Sequence, residues 1–131
     1  MDEEQRPKLV YWIGSSLRDL TALPAEVRRA MGYAVWLAQI GDKHPDAKPL
    51  KGFGGSGVLE VVEDFDRGTY RTVYTVRFAG AVYVLHVFQK KSKKGIKTPA
   101  GEIELVRKRL NQAEEHHAKW STSKRKNRNQ A

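Results

Sequence analysis

The sequence predicts an α+β domain in which an antiparallel sheet packs with two N-terminal helices and one C-terminal helix. A short run of β-branched and aromatic residues opens the chain, and three strand-like runs separated by tight turns occupy its middle. Helical segments with recognisable start signals lie on both sides of those runs. The order of strand, two helices, three-strand meander and helix is typical of an antiparallel sheet with its helices on one face.

The N-terminal part supplies one strand and two helices. The run KLVYWI, residues 8–13, predicts the first strand because it is short and rich in β-branched and aromatic side chains. In SSLRDL, Ser16 followed three residues later by Asp19 predicts a helix start that resembles a capping box. The stretch LPAEVRRAMGYAVWLAQIG predicts a longer helix that begins near Pro24 and ends at Gly41.

The middle of the chain predicts a loop and then a meander of three strands. The loop is DKHPDAKPLKGFGGSG, and the strands are GVLEVVED, TYRTVYTVRF and AVYVLHVFQ, with FDRG as a hairpin-length connection. Alternation in the second strand predicts one apolar face and one face that carries both Arg71 and Arg77. The third strand is apolar on both faces, which is typical of a central strand.

The C-terminal part predicts a helix followed by a tail. Thr98 is expected to be the N-cap and Pro99 the first helical residue. From residue 119 onward the sequence KWSTSKRKNRNQA carries five basic residues and no acidic one, which predicts disorder. The sequence therefore predicts one domain over residues 1–118 and a disordered basic tail over 119–131.

Composition excludes several classes of protein. The chain of 131 residues has 24 basic and 15 acidic side chains, a net charge of +9, which favours a polyanionic partner without identifying one. It has no cysteine, so disulfide scaffolds, thiolate metal sites and cysteine nucleophiles are excluded. The start MDEEQRPK is unlike a signal or transit peptide, and no apolar run approaches the ~20 residues that span a bilayer. We therefore expect a cytoplasmic protein without membrane association.

Two motifs that suggest cofactor chemistry have simpler interpretations. GFGGSG, residues 52–57, matches G-x-G-x-x-G, but a strand follows it where a dinucleotide site needs a helix, so it predicts a flexible loop. His116 and His117 are adjacent on a helix and diverge by about 100°, so they cannot hold one ion together. The sequence therefore predicts no metal site. His86, in the central strand, is expected to be a hydrogen-bonded core residue, with a role at an active surface as the alternative.

A lysine cluster follows the last strand. Five lysines fall within eight residues, at Lys90, Lys91, Lys93, Lys94 and Lys97. A run of like charges is usually only solvated. Here it leaves the end of a strand whose neighbour carries Arg71 and Arg77, and cations at a rigid sheet edge can hold phosphates at fixed positions.

Three stretches together carry a family resemblance. They are TYRTVY with the apolar strand after it, HVFQKKSKKGIKTPAGEIELVRKRL, and KPLKGFGGSGVLEV, whose strand bears Glu60. Over roughly residues 8–112 the chain resembles the RelE/ParE superfamily of toxin–antitoxin toxins, in its phage-related HigB-type branch. Two features depart from that family. Val61 and Val62 stand where many relatives carry an arginine, and the lysine loop is longer than in many relatives.

The resemblance implies a ribosome-dependent endoribonuclease that cuts messenger RNA in the decoding site. Such toxins need no metal or cofactor, because the ribose 2′-hydroxyl attacks the adjacent phosphate and leaves a 2′,3′-cyclic phosphate and a 5′-hydroxyl. It also implies a cognate antitoxin, typically a helix-turn-helix protein, that binds and silences the toxin. The implied partners are thus the antitoxin, the ribosome and mRNA.

The resemblance also implies roles for individual residues. Arg71 would stabilise the phosphate and the transition state, and Lys91 would stabilise or protonate the leaving oxygen. Lys90 and Lys93 would help to hold the scissile phosphate. The general base stays open among Glu60, His86 and a lysine whose pKa is lowered by its neighbours. The residues expected to grip RNA are Lys48, Lys51, Arg77, Lys93, Lys94 and Lys97.

Three alternatives remain open at the level of sequence. The same scaffold could inhibit DNA gyrase without cutting RNA, as ParE-like relatives do, although the retained cations Arg71, Lys90 and Lys91 argue against that. It could be a non-catalytic RNA-binding module. Finally, the basic tail could dominate and bind nucleic acid non-specifically.

Overall fold

A computed structural model describes residues 6–55, 57–90 and 98–129, and its elements confirm the α+β class. Every strand and helix that the sequence predicts is present. In chain order the elements are β1 Leu9–Trp12, α1 Ser16–Thr21, α2 Ala25–Gln39, β2 Ala47–Pro49, β3 Val58–Phe65, β4 Gly68–Thr75, β5 Ala81–Lys90 and α3 Ala100–Asn129. Among the described residues, no helix is both long and apolar enough to cross a membrane.

The sheet is mixed, which corrects the prediction of a wholly antiparallel one. Its five strands lie in the order β1-β5-β4-β3-β2, and every neighbouring pair is antiparallel except β1 and β5. The parallel pairing is possible because the two helices and the meander separate β1 from β5 in sequence, and a parallel pair needs a long crossover connection. Hydrophobic alternation alone could not distinguish the two directions.

The predicted loop before the meander contains the short edge strand β2, a second correction. Ala47–Pro49 pairs antiparallel with β3, and Lys48 lies directly opposite Glu60. The edge position suits Pro49 because its missing N–H removes no hydrogen bond from an inner ladder. A proline and a lysine among its three residues conceal its strand character from the sequence pattern.

Helices cover both faces of the sheet, whereas the sequence predicted helices on one face. Val82 and Val84 of β5 pack in one buried cluster with residues of α1 and α2. Ala81 and Tyr83, which alternate with them, pack in a second cluster with Val106 and other residues of α3. The alternation explains why β5 is apolar on both faces, as a central strand must be.

A β-bulge in β5 determines which face His86 occupies. Val73 pairs with His86 whereas Tyr74 pairs with Val84, so Leu85 has no partner on β4. Leu85 belongs to the cluster on the α3 face, and His86 bonds to residues of α3. Because strict alternation would place His86 on the α1–α2 face with Val84, the extra residue redirects it towards α3.

The helix ends differ slightly from the expected ones. Helix α1 begins at Ser16 after Ser15, and the Ser15 hydroxyl donates to Asp19 Oδ2 over 2.7 Å. Gly41, with φ of +80°, follows α2 as expected. Helix α3 continues to Asn129, into the tail that was expected to be disordered from residue 119. The Trp120 ring contacts Tyr11 edge-on at 6.2 Å between centroids.

Candidate active site

The face of the sheet that α3 covers brings four predicted catalytic residues together. Glu60 lies on β3, Arg71 on β4, and His86 and Lys90 on β5. The register places Arg71 opposite Phe88 and places His86 opposite Val73, which faces α3. Alternation from His86 through Phe88 places Lys90 on the same face. The fifth predicted catalytic residue, Lys91, lies outside the described residues.

Arg71 and Glu60 form a largely buried ion pair. Arg71 Nη1 donates to Glu60 Oε1 over 2.8 Å, and the two side chains are 3% and 11% exposed. Thr98 joins both, because its hydroxyl donates to Glu60 Oε2 over 2.6 Å and accepts from Arg71 Nη1 over 3.2 Å. Thr98 was expected to cap α3, but its hydroxyl instead forms hydrogen bonds with Glu60 and Arg71. Two residues predicted for separate catalytic roles therefore bind each other.

His86 is held between two charged residues of α3. Its Nε2 forms a short hydrogen bond with Glu102 Oε2, and its Nδ1 lies 3.3 Å from Arg109 Nη1. An arginine can only donate, so Nδ1 must be the unprotonated acceptor and Nε2 must carry the hydrogen. The ring also stacks on Phe88 with centroids 4.6 Å apart. His86 is thus fixed in one tautomer that donates to Glu102.

Arg109 connects this group to the N-terminal part of the chain. Its guanidinium also donates to the Leu85 carbonyl over 3.0 Å and to the Ser15 hydroxyl over 3.2 Å. Gly14, with φ of +58°, leaves the space it needs, since a Cβ there would lie 2.8 Å from Arg109 Cζ. Ser15 in turn donates to Asp19. A chain of polar contacts therefore runs from α1 through Arg109 and His86 to Glu102.

The predicted RNA-gripping residues do not all lie near this group. Lys48 is exposed on β2 opposite Glu60, and Lys51 is exposed just after β2. Lys93, Lys94 and Lys97 lie outside the described residues.

Arg77 lies on the α3 side of the sheet, as Arg71 does, but it is distant from Arg71 along the domain. Strand β4 ends at Thr75, before Arg77, whose Nη2 lies 3.5 Å from Glu114 Oε1. Glu114 is twelve residues beyond Glu102 on α3, which corresponds to about 18 Å along the helix axis. Arg77 therefore lies far along the domain from the Glu60–Arg71 pair.

Glu102 and Arg109 are site residues that the sequence analysis missed. Glu102 lies in TPAGEI, residues 98–103, within one of the three stretches that carry the family resemblance, and that position was the available signal. A glutamate in the first turn of a helix is also explained by the helix dipole alone. Arg109 gives no signal, because an arginine among basic residues on a long helix looks like any solvated charge.

A second polar group lies near β2 and β3. Ligand atoms of His44, Asp46 and Glu63 lie within 4.8 Å of one another. The Asp46 backbone N–H donates to His44 Nδ1 over 3.1 Å, so that nitrogen already has a partner. Burial, followed by the charge of Asp46, raises the pKa of Glu63. Alternation along β3 places Glu63 on the opposite face from Glu60, so this group is separate from the candidate site.

The chain matches a known protein family. Residues 18–111 match the family described as "Phage derived protein Gp49-like (DUF891)", which is most of the chain. The chain belongs to the Gp49-like family. This is a family of RelE-like toxins, as the resemblance of the three sequence stretches indicated. Glu60, Arg71, His86, Glu102 and Arg109 all fall within the Gp49-like region.

A solved structure is also similar to part of the chain. Among solved structures, the RelBE2 toxin–antitoxin complex from Mycobacterium tuberculosis is similar at 22% sequence identity with a TM-score of 0.44. The similarity covers 64% of this chain and 99% of that one. No curated protein matches the chain.

Proposed function

We propose that this Gp49-like protein is the toxin of a toxin–antitoxin pair and cleaves messenger RNA on the ribosome. The observation that carries the proposal is the position of Glu60, Arg71, His86 and Lys90 on one face of the sheet. These residues come from three different strands, so nothing in their spacing along the chain makes all four share a face. An active site for RNA cleavage needs them on one face, because the base, the acid and the phosphate-binding cation must all reach one phosphodiester.

The chemistry of these side chains suits attack by a ribose 2′-hydroxyl on the neighbouring phosphate. This reaction needs a proton acceptor, a proton donor for the leaving 5′-oxygen, and positive charge where the phosphorane develops negative charge. Arg71 supplies a guanidinium already oriented by Glu60 and Thr98. A phosphate that enters the site competes with Glu60 for that guanidinium, because both present paired oxygens to its planar donors. Lys90 and Lys91 are placed in sequence to serve the leaving oxygen.

The same proposal includes the partners. A protein with a net charge of +9 suits an RNA substrate and the ribosome, and it also suits an acidic antitoxin that neutralises the charge. We propose a helix-turn-helix antitoxin as that silencing partner and the cytoplasm as the place of action.

The decisive experiment is primer extension on a defined message in a reconstituted translation system. Wild type and Arg71→Ala are compared with Arg29→Ala, a control that removes the same charge from an exposed arginine of α2, on the other face of the sheet. We expect ribosome-dependent cuts within codons for wild type and Arg29→Ala, and none for Arg71→Ala in a sample that is folded by circular dichroism. Cuts that persist in Arg71→Ala would move the catalytic role to the lysines.

Absence of cuts by the wild type would contradict the nuclease proposal. A gyrase supercoiling assay would then test the ParE-like alternative, and RNA binding with and without residues 119–131 would separate a binding module from binding by the tail.

A further inference from the structure

We infer that Glu102 is the general base of this site and that His86 and Arg109 are the positioning residues that orient it. The inference rests on the proposed function and deepens it, because it names the group that takes the proton from the 2′-hydroxyl. Glu60, His86 and a lysine were the candidates from sequence. The hydrogen-bond geometry favours a different residue.

Glu60 is poorly suited to accept a proton from substrate. One carboxylate oxygen accepts from Arg71 and the other accepts from Thr98, and only 11% of the side chain is exposed. A substrate hydroxyl would also have to displace Thr98 to reach it.

His86 is also unsuited, because both of its ring nitrogens are occupied. Nδ1 accepts from the permanently charged Arg109, and Nε2 donates to Glu102. A proton cannot be added at Nδ1 while Arg109 remains there, and the side chain is only 8% exposed. His86 therefore reaches a substrate only through Glu102.

Glu102 has the exposure that a base needs. Its side chain is 34% exposed, and its Oε1 makes no hydrogen bond to any residue that the structure describes. Its partner His86 is a diagonal neighbour of Arg71 on the adjacent strand, because Arg71 lies opposite Phe88. Side chains in that relation are roughly 7–8 Å apart. A phosphodiester bound by Arg71 would thus lie within reach of the exposed oxygen of Glu102.

The proposed step balances in atoms and charge. Glu102 Oε1 takes the proton of the 2′-hydroxyl as the bond from that oxygen to phosphorus forms. The bond from phosphorus to the 5′-oxygen breaks, and the 5′-oxygen takes a proton from the Lys90 ammonium. The products are the 2′,3′-cyclic phosphate and the 5′-hydroxyl. Proton exchange with water then returns Glu102 and the lysine to their starting states.

Arg109 and His86 act through Glu102. Arg109 donates to His86 Nδ1, which leaves the ring hydrogen on Nε2, and the hydrogen bond from Nε2 holds Glu102 Oε2. The other oxygen of the carboxylate then points away from the ring. Because Arg109 is itself fixed by the Leu85 carbonyl and Ser15, the orientation of Glu102 depends on the bulge in β5 and on the start of α1.

The test measures single-turnover cleavage of mRNA on programmed ribosomes by the full chain. Glu102→Gln is compared with Glu104→Gln, a control two positions along on the same helix with an exposed side chain. We expect Glu102→Gln to slow cleavage by at least roughly 100-fold, as loss of a general base does, and Glu104→Gln to cleave at the wild-type rate. Glu102→Ala should recover part of its rate in added formate, which a purely structural defect would not do.

Two further measurements separate the base from its supports. A substrate with sulfur at the bridging 5′ position needs no leaving-group acid, so Glu102→Gln should remain slow on it. His86→Gln can still donate to Glu102 and should lose about tenfold, whereas loss of a histidine base would cost at least roughly 100-fold. Nitrogen-15 NMR of the wild type should show His86 with its hydrogen on Nε2.

The outcomes distinguish this inference from the proposed function. Cleavage by wild type with an undiminished rate for Glu102→Gln overturns the inference and leaves the nuclease in place. Loss of rate in Glu102→Gln that a 5′-sulfur substrate restores would make Glu102 the acid instead. Absence of cleavage by wild type overturns both proposals.

Discussion

Removing one member of the Glu60–Arg71 ion pair should destabilise the protein more than removing both. The side chains are 11% and 3% exposed, so either charge left alone is poorly hydrated. Breaking a buried pair costs about 3–5 kcal/mol, and Glu60 keeps its bond to Thr98, so we expect about 3 kcal/mol for Arg71→Met. In Glu60→Leu/Arg71→Met no charge is left unpaired, and this variant should recover at least about 2 kcal/mol of that loss.

Equilibrium urea denaturation of the two single variants and the double variant measures this difference. Arg77→Met serves as the control, because its partner Glu114 is 54% exposed and a surface pair contributes less than about 1 kcal/mol. Burial does not govern this pair if Arg71→Met lowers the free energy of unfolding no more than Arg77→Met does. The same conclusion follows if the double variant loses as much free energy of unfolding as the two single variants together. The double variant should be folded but unable to cleave RNA, which separates stability from catalysis.

Three further predictions concern other parts of the fold. Burial and the Asp46 carboxylate raise the pKa of Glu63 above its ordinary value of 4.5. The folded state therefore loses stability as pH rises from the ordinary pKa to the raised one. Glu63→Gln should therefore raise Tm at about pH 7 but not at about pH 3.5, and an equal change at both would contradict the assignment. Burial raises the pKa of Tyr83 to about 12, and its hydroxyl lies 2.7 Å from His116 Nδ1. Tyr83→Phe should lose about 1 kcal/mol in urea denaturation, and no loss would mean that this bond is not stabilising. Trp120→Ala should speed amide exchange in α3 after residue 117 while β5 stays protected, and unchanged exchange would show that the ring does not hold the helix.

The elements of the fold were predictable because their signals are local. Turn residues bound each strand of the meander, and Gly41 marks the end of α2. The direction of β1 was not predictable, because Leu9 through Trp12 would alternate in the same way beside an antiparallel partner. The faces of the helices were missed for a related reason. The doubly apolar β5 indicated cover on both faces but not which helix supplies it.

The candidate site was predictable in its residue types and not in its contacts. Arg71, Glu60 and Lys90 follow from the stretches that carry the family resemblance. The ion pair between Glu60 and Arg71 depends on the register between strands, which the sequence does not show. His86 needs the bulge at Leu85 to face α3, and no signal in the sequence marks that bulge. Alternation predicted the side of the sheet on which Arg77 lies but not its distance from the Glu60–Arg71 pair, because β4 ends at Thr75.

The polar network that spans Ser15 to Arg109 sets an order in which the candidate site can form. A nascent chain that has emerged only through β5 carries Arg71 and His86 but lacks Glu102, and β1 has just gained its partner. The complete group exists only after α3 has been synthesised and has docked on the sheet. A protein proposed to act on ribosomes would thus be harmless to the ribosome that is making it until α3 has been synthesised. An antitoxin that captures α3 as it emerges would silence the protein before its candidate site first forms.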